Sequence, residues 1–161
     1  MRFLVLVFCF ILAACGFRPL YSSDDAVLAQ SEAIQIEPIS GDGGYQMGLI
    51  LKNKLNPYQN TASPKYRLTV SLTQPTYTNQ SIRSDNFASL EKMHIQANYK
   101  LLSIESGKIL ISSKVDSNGL FNLIKDPYAT VVAQDKLYEN LVKLMAEDIA
   151  MHVLAYFKGE N

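Results

Sequence analysis

Alternating apolar and polar residues predict three β-strands in the middle of the chain. The strands cover residues 65–74, 90–102 and 109–116, where apolar side chains recur at every second position. A shorter alternation predicts a first strand over residues 33–39. The polar segment 76–89 fits neither a strand nor a helix clearly. Each strand would bury one face and leave the other in water.

Apolar residues at three- and four-residue steps predict two helices. The first covers residues 45–56 and stops before Pro57. The second follows Asp126, a suitable N-cap, has Pro127 at its first position and runs to Phe157. Its apolar stripe comprises Leu137, Leu141, Leu144, Met145, Ile149, Val153 and Tyr156. The order β-α-β-β-β-α predicts an α+β domain: a four-stranded mixed sheet with two helices packed on one face.

The chain begins with a predicted lipoprotein signal peptide. Arg2 precedes an apolar run of 12 residues, 3–14, whereas a helix needs roughly 20 to cross a bilayer. The run ends in the sequence LAAC, the pattern after which lipoprotein precursors are cleaved and acylated. Cys15 would then be the first residue of the mature protein and would hold lipid on its sulfur and amine. An ordinary signal peptide with an incidental cysteine is the alternative.

Three parts follow from this organisation: a signal peptide over 1–14, a lipidated tether over 15–31 and a single domain over 32–161. Removal of the signal leaves 147 residues, enough for one core, with a net charge of −1. This balance argues against a nucleic-acid partner and against a polybasic membrane patch. The charge is uneven, because residues 65–125 have a net charge of +4. A lipidated Cys15 leaves the mature chain no free thiol for a disulfide.

The sequence contains no motif typical of an enzyme. It lacks the GxSxG, HExxH, glycine-rich phosphate-loop and CxxC patterns. A metal site would need both His94 and His152 together with a carboxylate, and they lie on separate predicted elements. We therefore expect a non-enzymatic protein without a metal or a cofactor, apart from the covalent lipid.

The outward face of the predicted sheet is rich in hydrogen-bonding side chains and poor in acids. A polar outer face is normal for an antiparallel sheet in water, and this is the simpler interpretation. The alternative is contact with a polar or anionic partner, such as a phosphorylated sugar or the polar interior of a transmembrane barrel. The outward residues include Thr69, Ser71, Thr73, His94, Gln96, Asn98, Ser112 and Lys114.

The seven residues CGFRPLY at 15–21 resemble the mature start of the LptE family, the lipopolysaccharide (LPS) assembly lipoproteins, in its alphaproteobacterial form. Looser matches follow in order: IQIEPI at 34–39, YRL at 66–68, ANYKL at 97–101 and PYA at 127–129. The resemblance implies a sandwich of two helices on four strands. It also implies a lipoprotein anchored to the outer membrane and facing the periplasm. Such a protein forms a complex with the LptD β-barrel and helps it to insert LPS into the outer leaflet.

LPS is anionic, so candidate contacts are basic residues at outward positions of neighbouring strands. Arg67, Lys100 and Lys114 meet this condition, and arginine can bind a phosphate through two hydrogen bonds. Another outer-membrane lipoprotein, a barrel-assembly accessory or a pilotin that binds protein but not LPS, is the alternative function. A lipid-anchored hydrolase would need a nucleophile paired with a base, and the sequence offers none.

Overall fold

The computed structural model of the protein describes residues 33–57, 63–82, 88–124 and 126–159. The predicted signal peptide, Cys15 and the tether over 15–31 lie outside the described residues. The elements are β1 (Ile34–Ile36), α1 (Gly44–Leu55), β2 (Tyr66–Leu72), β3 (Thr76–Ile82), β4 (Ala88–Ser103), β5 (Ile109–Asn122) and α2 (Pro127–Gly159).

Strand β4 is the centre of the sheet. Along one edge it pairs with β5 in antiparallel fashion, from Leu90 to Leu102. Its other edge is shared, since β2 pairs with residues 97–103 and β3 with residues 88–94. Strand β1 pairs with β2 in parallel and forms the end of the sheet. One parallel pair among antiparallel pairs makes the sheet mixed.

This arrangement confirms the predicted α+β class, with a mixed sheet and two helices, and adds a fifth strand. The extra strand, β3, lies in the segment that the sequence pattern left unassigned. Pro75, which has no N–H for a ladder hydrogen bond, separates it from β2. Strand β5 also continues past the predicted end at residue 116. The alternation weakens there because Gly119 occupies an inward position, where a Cβ would lie 2.5 Å from Leu137 Cδ1.

The core lies between the sheet and the two helices. Inward side chains of β2 and β4 alternate with exposed ones, and residues one helical turn apart on α1 and α2 cover them. Leu144 was predicted in the stripe of α2 but is 52% exposed, because the buried positions around it are Leu141, Met145 and Ile149. Residues that are 0% exposed are Met47, Leu51, Leu55, Leu68, Met93, Ala97, Leu101, Val142, Met145, Ala146, Ile149, Val153 and Phe157.

Specific contacts fix the ends of the elements. Asp126 caps α2 as predicted, since its Oδ1 accepts a hydrogen bond of 2.9 Å from the Tyr128 N–H. Before α1, Gly43 adopts a φ of 78°, a left-handed conformation that favours glycine. The predicted turn between β4 and β5 contains Gly107 with a φ of 67°. Neither described helix has the length and apolar character of a membrane-spanning helix.

Candidate functional site

The side of the sheet opposite the helices is uncovered in the described part of the chain. We call this surface the open face. It is formed by outward residues of β2 (Arg67, Thr69, Ser71), β4 (Lys92, His94, Gln96, Asn98, Lys100) and β5 (Ser112, Lys114, Asp116, Asn118). Burial explains its composition: the same strands direct most of their apolar side chains to the core, so polar residues occupy most of the alternate positions, with Leu102 and Leu120 as apolar exceptions.

The sheet brings the three predicted basic residues onto this one face. Arg67 lies opposite Leu102, two residues along β4 from Lys100, and Lys100 lies between Thr69 on β2 and Ser112 on β5. Lys114 is opposite Asn98, again two residues from Lys100. Diagonal neighbours of this kind are about 7–8 Å apart at their Cα atoms. Arg67, Lys100 and Lys114 therefore form a diagonal row across three strands.

Glu37, which follows β1, is the acidic neighbour of Arg67. Its Oε1 lies 3.5 Å from Arg67 Nε, and the two side chains are 38% and 45% exposed. The other carboxylate oxygen accepts a hydrogen bond of 2.9 Å from the Thr69 hydroxyl. Glu37 thus orients the guanidinium and partly neutralises it, while the exposure of the pair keeps the interaction weak in water.

Asp116 forms a second polar cluster further along the row. Its Oδ1 accepts a 2.8 Å hydrogen bond from Gln96 Nε2 and lies 3.5 Å from His94 Nε2. Its Oδ2 lies 3.7 Å from Lys114 Nζ. One carboxylate thereby holds three side chains of β4 and β5, which fixes this part of the open face and offsets the charge of Lys114.

Lys100 differs from the other two members of the row. It has no carboxylate oxygen within 4.0 Å among residues 33–57, 63–82, 88–124 and 126–159. Its direct neighbours, Thr69 and Ser112, are neutral hydroxyl side chains. Lys100 is therefore the basic side chain of the row with the fewest competing contacts for an incoming anion.

The sequence pattern missed three side chains on or beside the open face. Lys92 has the same outward phase as Lys100 and adds a basic group toward β3, where it lies opposite Thr78 and Leu120. The alternation of β4 was a sufficient signal for it. Glu37 and Asp116 are recognisable only from the structure, because their importance comes from ion pairs across strands. Together these side chains make the open face a hydrogen-bonding surface with a small excess of positive charge.

The two histidines lie on opposite sides of the sheet. His94 is on the open face beside Asp116, whereas Nδ1 of His152 on α2 is 2.8 Å from the Tyr99 hydroxyl on the helix side. Burial raises the pKa of Tyr99, although a hydrogen bond to Ser113 opposes this shift. The two histidines therefore lie in separate environments, and their positions on opposite sides of the sheet exclude a metal site formed by both.

Solved lipoprotein structures have the same fold. A Caulobacter crescentus CB15 protein assigned as a lipoprotein matches 84% of this chain and 97% of its own, with a TM-score of 0.64 and 22% identity. Rare lipoprotein B from Shewanella oneidensis matches 78% of this chain and 98% of its own, with a TM-score of 0.60 and 10% identity. At these identities the likeness establishes the shared architecture alone.

Comparison of sequences gives a closer relationship. No family model matches the chain. The uncharacterized protein RP188 of Rickettsia prowazekii (strain Madrid E) is 32% identical to it over 158 residues, which cover 98% of both proteins. Such identity over nearly the whole length means that the likeness is not confined to one part of the chain. The chain therefore belongs to the same family as protein RP188, and it has the fold of rare lipoprotein B.

Proposed function

We propose that this protein is a non-enzymatic lipoprotein of the outer membrane, anchored through lipid on Cys15 and facing the periplasm. The sequence at 12–15 provides the acylation pattern, and the domain has the fold of solved lipoproteins. Gly16 follows the cysteine in place of the aspartate associated with retention in the inner membrane. The lipid holds the domain at the membrane surface, so that its partners are membrane components.

The proposed partners are an LptD-type β-barrel and LPS. The resemblance of residues 15–21 to the LptE family supports the barrel, and a small domain without catalytic motifs acts through what it binds. The polar lumen of such a barrel offers hydrogen-bonding groups that match those of the open face. In this role the protein helps the barrel to assemble and assists the transfer of LPS to the outer leaflet.

The observation that supports LPS binding is the diagonal row of Arg67, Lys100 and Lys114. Phosphate groups bind to basic side chains by charge-assisted hydrogen bonds, and a row across three strands can contact more than one phosphate. Neutral donors beside the row, such as Ser112 and Asn98, can hydrogen-bond to sugar hydroxyls. The mature chain has almost no net charge, so attraction to LPS depends on this local cluster.

A second candidate function is supported by the acidic neighbours. Glu37 and Asp116 already pair with Arg67 and Lys114, which leaves much of the open face close to neutral. A neutral hydrogen-bonding surface suits a protein partner at least as well as an anionic glycolipid. In this alternative the protein is a barrel-assembly accessory or a pilotin and binds no LPS.

The experiment is affinity purification of the tagged protein from outer membranes solubilised in mild detergent, with Cys15→Ala as the control that lacks lipid. We expect the protein to co-purify with one large β-barrel and with LPS, and its depletion to lower the amount of assembled barrel. A barrel without LPS would favour the accessory function. Recovery of the protein alone, with LPS export intact after depletion, would contradict both.

A further inference from the structure

Strand β5 forms a long free edge of the sheet. It has 14 residues, whereas a typical strand has about 5–6. One side of β5 pairs with β4, and no strand within the described ranges pairs with its other side. Every second residue of β5 therefore directs its backbone N–H and C=O groups away from the sheet. The strand contains no proline, which would hinder the addition of a further strand.

The sequence of β5 is complementary to itself in the antiparallel direction. Its only charged residues, Lys114 and Asp116, lie on either side of Val115. When a second copy of β5 is aligned with Val115 opposite Val115, each lysine lies opposite the partner's Asp116 on the same face of the sheet. A centre one residue earlier would oppose two lysines, and a centre one residue later would oppose two aspartates. Charge therefore favours one register of self-pairing.

The helix side of this edge has exposed apolar side chains. Leu137 of α2 lies against β5, because a Cβ at Gly119 would be 2.5 Å from Leu137 Cδ1. Leu144 and Met151 follow Leu137 at steps of seven residues and therefore lie on nearly the same side of the helix. They are 52% and 42% exposed. A row of exposed apolar side chains beside a free strand edge is typical of an interaction surface.

Helix α2 runs antiparallel to β5. Near one end of their contact Leu137 meets Gly119. Toward the other end, Nδ1 of His152 is 2.8 Å from the hydroxyl of Tyr99, whose partner on β5 is Ser113. The helix rises about 22 Å from residue 137 to residue 152, and the strand spans about 20 Å from residue 119 to residue 113. Positions along the two elements therefore correspond.

This correspondence places Leu144 close to Val115, the centre of the self-complementary stretch. Two-fold symmetry about that point brings Leu144 to the partner's Leu144 and Met151 to the partner's Leu137. Because α2 contacts both β4 and β5, its axis lies about one strand spacing from the symmetry axis. The two α2 helices are then about 10 Å apart, a usual distance between packed helices.

We infer that two copies of this protein pair through the free edge of β5, with Val115 on the two-fold axis. The two sheets become continuous, and the α2 helices pack against each other through Leu137, Leu144 and Met151. A second copy is favoured over another protein because the charges of β5 and the apolar row of α2 are self-complementary about the same point. The inference does not depend on the proposed barrel and LPS partners.

The pairing unites the two open faces into one surface. A two-fold axis perpendicular to the sheet keeps both open faces on the same side. Lys114 Nζ and Asp116 Oδ2 are 3.7 Å apart within one copy, so four charges of alternating sign surround the axis. These side chains are 62% and 40% exposed, and such pairs determine register more than affinity. The apolar contacts of α2 supply the affinity.

The test uses two variants of the mature lipoprotein, Lys114→Glu and Asp116→Lys. The first has two acidic groups on β5 and the second has two basic groups, so each opposes like charges when it pairs with itself. A mixture of the two restores opposite charges in both pairs. We expect each variant alone to dimerise at least tenfold more weakly than wild type. In the mixture, the heterodimer should be at least tenfold more stable than either homodimer.

Analytical ultracentrifugation measures the self-association, and native mass spectrometry identifies the heterodimer. Matched controls are Lys54→Glu and Asp135→Lys, which make the same changes in net charge at exposed residues outside β5. Neither control should alter dimerisation. Circular dichroism verifies that all four variants are folded.

Leu144→Cys provides an independent test on the helix side. Its thiol would meet the same thiol of the partner across the axis, whereas Lys143→Cys is directed about 100° around the helix. Both residues are exposed, so neither substitution removes a core side chain. We expect a disulfide-linked dimer from Leu144→Cys at a yield at least tenfold above that from Lys143→Cys.

Three results would overturn the inference. The first is a wild-type protein that stays monomeric. The second is a dimer that both charge variants leave intact, which would assign the contact to another surface. The third is equal cross-linking of Leu144→Cys and Lys143→Cys. Failure of the folded charge variants to form a heterodimer would likewise contradict a register with Val115 on the axis.

Discussion

The two faces of the sheet are built from the same strands but differ in what their side chains do. On the helix side, Leu68, Ala97 and Leu101 are 0% exposed and pack against α1 and α2. On the open face, the residues between them have polar or charged side chains joined by exposed ion pairs. Burial of apolar side chains supplies most of the folding free energy, whereas exposed ion pairs contribute between zero and about 1 kcal/mol. The fold and the proposed binding surface can therefore be altered separately.

The largest effect is expected for truncation on the helix side. Leu101→Ala removes a fully buried side chain from the central strand and should lower the free energy of unfolding by about 2–5 kcal/mol. Asn98→Ala changes an exposed residue of the same strand and should stay within about 0.5 kcal/mol of wild type. Urea denaturation measures both. Equal losses would mean that the open face is also part of the core.

A smaller loss is expected from adding one methyl group beside α1. Gly43→Ala forces a side chain into a φ of 78° and places its Cβ 2.9 Å from Val142 Cγ2. The cost should be about 1–3 kcal/mol in the free energy of unfolding. Gly48→Ala is the control, since it adds the same group to an open position within the helix and should be neutral or stabilise by up to about 1 kcal/mol. A loss from Gly48→Ala would contradict the open space around this residue, where a Cβ meets only Ile39 Cδ1, at 4.0 Å.

The polar contact on the helix side predicts a dependence on pH. Burial raises the pKa of Tyr99 above its ordinary value of 10.0, so folding favours the neutral phenol. Its contribution is complete below about pH 10 and is lost as the pH rises through the folded-state pKa. Tyr99→Phe should cost about 1 kcal/mol near neutral pH, because the contact with His152 is removed.

The difference between wild type and Tyr99→Phe should then shrink in alkaline solution. Tyr138, whose pKa is also raised by burial and by the nearby charge of Asp42, remains in both proteins and provides a common background. Denaturation curves recorded at several values from about pH 8 to pH 11 measure the difference. A constant difference across this range would show that Tyr99 does not titrate differently in the folded state.

The smallest effect on stability is expected on the open face. Lys100→Glu combined with Lys114→Glu should change the free energy of unfolding by no more than about 0.5 kcal/mol, since both side chains are exposed. A loss above about 2 kcal/mol would indicate that the row of basic residues supports the fold, as core residues do. Thermal and urea unfolding of this variant test whether the open face can be altered without a change in the stability of the fold.

Sequence periodicity predicted the fold well where burial is one-sided. The alternation in β2 and β4 and the heptad-like spacing in α2 follow directly from contact with one core. Strand β3 escaped prediction because TYTNQSI has little alternation, and its pairing with β4 depends on a partner far along the chain. Leu144 fitted the helical spacing, but the buried stripe of α2 is displaced around the helix from the predicted one and includes Val142, Ala146 and Ala150.

The candidate site also has features that the sequence predicted and features that only the structure shows. The outward phase of Arg67, Lys100 and Lys114 followed from alternation, and the sheet brings the three onto one face. The ion pairs of these residues could not be predicted from alternation, because Glu37 meets Arg67 only through the parallel pairing of β1 with β2. Local patterns predict faces, and topology determines which elements become neighbours.

The most direct test of the account is LPS binding by two charge-reversed variants. Lys100→Glu with Lys114→Glu reverses the open face, whereas Lys54→Glu with Lys143→Glu changes the net charge equally at exposed positions on α1 and α2. We predict at least tenfold weaker binding for the open-face variant alone, with a loss that shrinks as salt rises, since exposed charges are screened beyond about 10 Å at 0.1 M. Equal losses from both variants, or no loss from either, would contradict LPS binding by the open face.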